Sequence, residues 1–133
     1  MKPVVLYVED DPQSRKVMEF YLRKGLQLQS FTIFEDSSNF QDRLQGLQPR
    51  PDVIFLDIHV KPASGFEMLD MIRSMDDFKQ IPVVALTASV MSDEIHTLRT
   101  AGFNGCFSKP IDVDTFWGNL QRVMAGEHLW SIT

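Results

Sequence analysis

The chain has 133 residues, room for a single hydrophobic core, and 44% apolar and 23% charged residues suit a globular domain. Eighteen acidic against thirteen basic residues leave a net charge of -5, which argues against direct binding to a nucleic-acid backbone. One cysteine, Cys106, excludes an internal disulfide, and no stretch approaches the ~20 apolar residues of a membrane span.

The first apolar run, "PVVLYV" (3–8), does not alternate, so it reads as a strand buried on both faces. It is too short for a signal peptide before the acids of "EDD" arrive, and the expected location is cytoplasmic. A helix over 12–24 follows, with Pro12 in its first turn, Val17, Met18, Tyr21 and Leu22 at helical spacing, and Gly25 at its end. "SFTIF" (30–34) is a less uniformly apolar strand, suited to a sheet edge. A short helix spans 37–46, and "PRP" (49–51) breaks the chain. "DVIFL" (52–56) is the third strand. A helix beginning near Phe66 carries Leu69, Ile72 and Met75.

"IPVVALT" (81–87) is the fourth strand. Ile95, Leu98 and Ala101 mark a helix that stops at Gly102, and "GCF" (105–107) is a short fifth strand. The last helix has Asp112 as N-cap and the stripe Val113, Phe116, Trp117, Leu120, Val123, Met124. The residues after it have no clear assignment. Strands alternating with helices imply a parallel sheet, and right-handed crossovers make it doubly wound. Ligands of such α/β sheets sit at the carboxyl ends of the strands, where the winding reverses.

Four strand ends carry pointed chemistry. The first leads into Glu9-Asp10-Asp11, the third into Asp57, the fourth into Thr87 and the fifth into Lys109-Pro110. Taken singly, each has a plain reading: a helix cap, a turn residue, a strand residue, a solvated charge. Together on one edge, the carboxylates repel one another and call for a hard divalent cation, Mg2+ or a similar ion. Lys109 adds an ammonium and Thr87 a hydroxyl. Such a site suits an incoming phosphoryl group, with Asp57 as the nucleophile.

These residues carry a resemblance. "YVEDD", "FLD" with Gly65 eight residues after Asp57, "LTA" and "SKP", in this order, make residues 3 to 125 similar to the response-regulator receiver domain, the phosphoacceptor of two-component signalling. The resemblance implies a flavodoxin-like sheet of five parallel strands, order 2-1-3-4-5, with five helices. It implies a receiver domain over 1–126 and a C-terminal tail over 127–133, docked, disordered or dimerising. Asp57 is then the phosphorylation site. Glu9 (through water), Asp10, Asp57 and the backbone carbonyl of His59 hold Mg2+, and Thr87 and Lys109 bind the phosphoryl group. The Lys109-Pro110 peptide is expected to be cis. The implied donor is a sensor histidine kinase or phosphotransfer protein. The implied output is a downstream protein on the 92–125 face, or a homodimer. The chain is then no conventional enzyme but a phosphoacceptor that assists its own phosphorylation and dephosphorylation.

Three positions depart from the family pattern. Val60-Lys61 replaces the usual Met-Pro, with Pro62 one place late. Cys106 stands where the family carries an aromatic switch residue, and Phe107 beside it should face the opposite side of the strand. His59 and Ser89 occupy the two positions that tune hydrolysis in the family. His59 is either an exposed bystander or a group that orients water or the phosphoryl oxygens. Two rival readings compete. One is a haloacid-dehalogenase-type phosphohydrolase, suggested by "DIHV", whose second acid would be His59. The other is a receiver fold used only as a binding module.

Overall fold

The computed structural model describes residues 2–88 and 91–132. Its centre is one parallel sheet of β1 (Val5–Val8), β2 (Phe31–Phe34), β3 (Val53–Asp57), β4 (Val83–Thr87), β5 (Gly105–Ser108) and β6 (Leu129–Ile132), in the order β2-β1-β3-β4-β5-β6. The first five strands stand in the expected order, and the count of five is corrected to six. β1 and β3 are adjacent, with Val8 level with Leu56, so the winding reverses between them. Their ends deliver Glu9 and Asp57 to the same point on the sheet's edge.

Among the described residues, five α-helices cover the sheet. α1 (Pro12–Phe20), the turn that continues it and α5 (Val113–Met124) pack Met18, Leu22, Phe116, Leu120 and Val123 against the face of Tyr7 and Phe55. α2 (Phe40–Gln45), α3 (Gly65–Ser74) and α4 (Ser92–Ala101) pack Phe40, Leu44, Leu69, Ile72 and Leu98 against the face of Leu6 and Leu56. Both faces are therefore buried, which is why β1, β3 and β4 read as unbroken apolar runs. β2 is only partly buried along three of its four residues, as an edge strand should be.

The helix termini follow local chemistry. Asp11 caps α1 by accepting the Ser14 amide, and Asp112 caps α5 by accepting the Asp114 amide. Ser64 and Glu67 form a reciprocal capping box at the start of α3. After Phe20, α1 widens into a π-helical turn over Tyr21–Gly25. α2 begins three residues later than the pattern predicts, because Ser37 and Ser38 spend their hydrogen bonds on loops. Val17, Val113 and Met124, placed on the apolar stripes, are instead exposed.

The expected tail, 127–133, contributes β6, which pairs parallel with β5 through a register shift at Cys106/Phe107. Gly105 admits it: a Cβ there would lie 2.7 Å from the Leu129 carbonyl oxygen. Trp130 sits opposite Cys106 and lies under the Arg99 guanidinium, 5.3 Å from the ring centre.

Arg73 closes the end of the domain away from the site. Its guanidinium donates to the carbonyls of Lys79, Ile81 and Gly102 and to Asn104 Oδ1. Arg73→Ala is expected to lower unfolding stability by about 2–3 kcal/mol, since hydrogen bonds to a charged group are strong and several acceptors lose their donor together. Urea melts of the two proteins measure it; a difference below about 0.5 kcal/mol would show that water replaces the guanidinium.

Candidate functional site

At the carboxyl edge of the sheet, Tyr7 and Glu9 lie two residues apart and so share a face. The Tyr7 hydroxyl donates to Glu9 Oε1 at 2.7 Å, and the Asp11 amide donates to Glu9 Oε2 at 3.2 Å. The Arg15 guanidinium holds the Glu9 carbonyl. Tyr7 and the Asp11 amide thus hold the carboxylate, Arg15 holds the backbone beneath it, and the side chain is fully buried. Adjacent acids divide the work: Glu9 turns inward, exposed Asp10 stands at the rim, and Asp11 caps α1. The helix-cap reading of "EDD" holds for Asp11 alone.

Asp57 is the last residue of β3, and its side chain is 7% exposed. Oδ1 accepts the His59 amide at 3.1 Å. Oδ2 accepts Lys109 Nζ at 3.2 Å, and the same ammonium donates to Glu9 Oε1 at 2.9 Å. Lys109 follows β5 and is reached because its own amide bonds the Thr87 carbonyl at 2.9 Å, locking the ends of β4 and β5 together. The Lys109-Pro110 peptide is cis, as are those of Gln48-Pro49 and Lys61-Pro62. Thr87 is buried at the end of β4. Gly65 closes the loop after Asp57 through its amide on the Ile58 carbonyl, and a Cβ there would lie 2.7 Å from the Ile58 Cα.

The charges pull the two buried acids apart. Burial, and then the contact with Asp57, push Glu9 above the ordinary carboxylate range against the lowering by Lys109 and Tyr7. Burial works to raise Asp57 as well, but its contact with Glu9, the His59 amide and Lys109 outweigh it and hold it below its usual value. Lys109 is also opposed by burial, yet Glu9 and Asp57 raise it, so the ammonium stays charged. Burial and Glu9 push the Tyr7 hydroxyl upward, which keeps it a donor. Asp57 is therefore the acid poised to be ionised.

One carboxylate oxygen each from Glu9, Asp10 and Asp57 lies within 4.8 Å of the others. Hard oxygen donors at that spacing, without thiolate or imidazole among them, fit Mg2+. The structure thus brings Glu9, Asp10, Asp57 and Lys109 together and places Thr87 and His59 on the same edge. His59 is exposed in the turn that follows Asp57, and its backbone already serves Asp57. Ser89 lies outside the described residues. Cys106 is buried on the α4 side of the sheet, and Phe107 packs on the other side with Phe55 and Phe116, as strand alternation requires. Sequence reasoning missed Tyr7, whose signal was its two-residue offset from Glu9.

The family model for the response regulator receiver domain matches residues 5–121. The polar-differentiation response regulator DivK of Brucella anthropi is 28% identical over 116 residues, covering 87% of this chain and 91% of that protein. Among solved structures, the receiver domain of a sensor histidine kinase from Pseudomonas aeruginosa aligns over 95% of this chain and 100% of its own, at 25% identity and a TM-score of 0.80. It carries a magnesium ion coordinated in its active site cleft. The chemotaxis response regulator CheY4 of Vibrio cholerae shares the fold at a TM-score of 0.80 and 24% identity, over 92% of this chain and 99% of its own.

Proposed function

The chain belongs to the response regulator receiver domain family, and from that premise we propose that Asp57 accepts a phosphoryl group and that the change at Asp57 resets a protein-binding surface. One observation carries the assignment of Asp57. It is a strand-end carboxylate with an ammonium 3.2 Å away and two further acids close enough to share a cation with it. The P. aeruginosa neighbour's magnesium-bearing cleft supports the same reading of the acids.

In the proposed step, one Asp57 oxygen attacks phosphorus. The new P–O bond forms as the bond from phosphorus to the donor's imidazole nitrogen breaks, and the imidazole leaves with the electron pair. Glu9, Asp10, Asp57 and the His59 carbonyl would hold Mg2+, which when bound neutralises charge on the phosphoryl oxygens. Lys109 turns from Asp57 to a phosphoryl oxygen while retaining Glu9. Thr87 supplies its hydroxyl to another phosphoryl oxygen. Hydrolysis later returns Asp57 to a carboxylate and releases phosphate, so the chain turns over its own modification and no separate substrate.

The donor is a sensor histidine kinase or a phosphotransfer protein. A cavity of about 200 Å3 beside the site, lined by Tyr7, Val17, Met18, Lys109, Pro110 and Ile111, offers apolar surface on that side of the edge. The output is a downstream protein or a second copy, on the face of α4, β5 and α5 (92–125), where β6 now covers the edge of β5. Among the described residues no helix is long and apolar enough to cross a membrane. A cytoplasmic setting, with a donor's kinase domain and free Mg2+, suits this chemistry.

The test is intact-mass measurement after incubation with Mg2+ and acetyl phosphate. One added phosphoryl group is expected, mapped to the peptide carrying Asp57 and absent when a chelator removes the metal. No gain under donor excess returns the chain to a binding module. Steady release of phosphate from a phosphomonoester favours the phosphohydrolase.

A further inference from the structure

We propose that Ser37 is a positioning residue for the Asp57 site, holding from the neighbouring loop the backbone that presents His59 to the acids. The segment from Ile58 to Ser64 belongs to no strand or helix. It carries the His59 amide that fixes Asp57 Oδ1. Val60 is buried in the core, and the Gly65 amide just beyond the segment bonds back to the Ile58 carbonyl at its start. In its middle, Lys61-Pro62-Ala63, Ala63 packs on the core, and among the described residues the hydrogen bonds from outside the loop come from Ser37.

Three bonds do this. The Ser37 amide donates to the Lys61 carbonyl at 3.2 Å. The Ser37 hydroxyl donates to the Ala63 carbonyl at 2.6 Å and accepts the Ala63 amide at 2.7 Å. A single hydroxyl thus serves both backbone groups of one residue, and only 3% of Ser37 is exposed, so water does not compete. The clip ties the loop after β2 to the loop after β3 on either side of Pro62, at the stretch where this chain departs from the family's usual Met-Pro. Removing the hydroxyl leaves the two Ala63 backbone groups without their partner and loosens the loop that orients His59, with the Ser37 amide still on the Lys61 carbonyl. A loose supporting shell weakens metal binding without touching any ligand.

The test compares Ser37→Ala, Ser37→Cys and Ser37→Thr with the parent, each first shown to unfold cooperatively. Calorimetric titration with Mg2+ alone reads the site without phosphoryl chemistry. Threonine keeps the hydroxyl and is expected to match the parent, cysteine to fall between, and alanine to bind Mg2+ roughly tenfold more weakly. Amide hydrogen exchange at His59 and Ala63 should quicken in the same order, and labelling by acetyl phosphate at limiting Mg2+ should slow with it. Affinities within about twofold across the series, judged on cysteine against threonine if the alanine variant does not fold, overturn the assignment. The labelling arm rests on Asp57 as acceptor. A parent that binds Mg2+ but never gains phosphorus defeats that reading and leaves the Ser37 result standing.

Discussion

Asp57→Asn is expected to take up no phosphoryl group, and to be at least as stable as the parent in magnesium-free buffer. The first half follows from chemistry: an amide oxygen is no nucleophile toward phosphorus at neutral pH. The second half follows from the crowding of the acids. Carboxylates within 4.8 Å of one another repel by roughly 3–4 kcal/mol per pair at an effective dielectric near 20. Lys109 offsets part of this, but one ammonium serves two buried acids. Asparagine removes one negative charge and keeps an oxygen for the His59 amide. Lys109 and Tyr7 remain to satisfy Glu9. A gain of about 1–2 kcal/mol is the expected size after partial relaxation. Thermal melts with and without Mg2+ check it. The parent should be stabilised by the ion far more than the variant, because relief of the same repulsion by a cation is what the variant no longer needs. A variant that loses more than about 2 kcal/mol would show that Asp57 is held for structure rather than for reaction.

The site was legible in the sequence to the extent that it sits where chain direction changes. Glu9, Asp57, Thr87 and Lys109 each terminate an apolar run, and a parallel sheet collects such ends whatever their separation in sequence. What the pattern hides is contact made across elements. Ser37 looked like the first residue of a helix, because nothing local reveals that its hydroxyl is spent on Ala63. Val17 and Val113 fit the apolar stripes, but helical periodicity gives a direction and not the extent of the surface it meets, so the residues at the stripe's margin stay in solvent. β6 was missed for a related reason. "HLWSI" becomes a strand only because α5 returns the chain to the free edge of β5, and because Gly105 lets the Leu129 backbone approach. Turns and stripes are written locally, whereas the third partner in each of these cases is supplied by the fold.

Lys109→Met should cost both stability and reaction rate while leaving Asp57 in place. Methionine keeps the length and apolar stem of lysine and deletes its charge. The carboxylates of Glu9 and Asp57, with side chains 0% and 7% exposed, then face each other without the ammonium that bridges them. Breaking a buried pair on one side costs about 3–5 kcal/mol, and the remaining acids escape part of that by holding a proton between them. That escape disables the reaction, since Asp57 loses one of the contacts that keep it low and ionised. The variant also lacks the cation that would meet the phosphoryl oxygens. Labelling by acetyl phosphate is therefore expected to slow by about a hundredfold or more, the usual loss for one electrostatic donor at a reacting centre. Mg2+ should restore much of the stability but little of the rate, because a metal can neutralise the acids yet cannot occupy the position of Nζ. Lys109→Arg should rescue neither fully, its planar fork being too wide for a point that one ammonium fills from 2.9 and 3.2 Å. Parental labelling rates in Lys109→Met would place the ammonium outside the reaction and reduce it to a structural counter-ion.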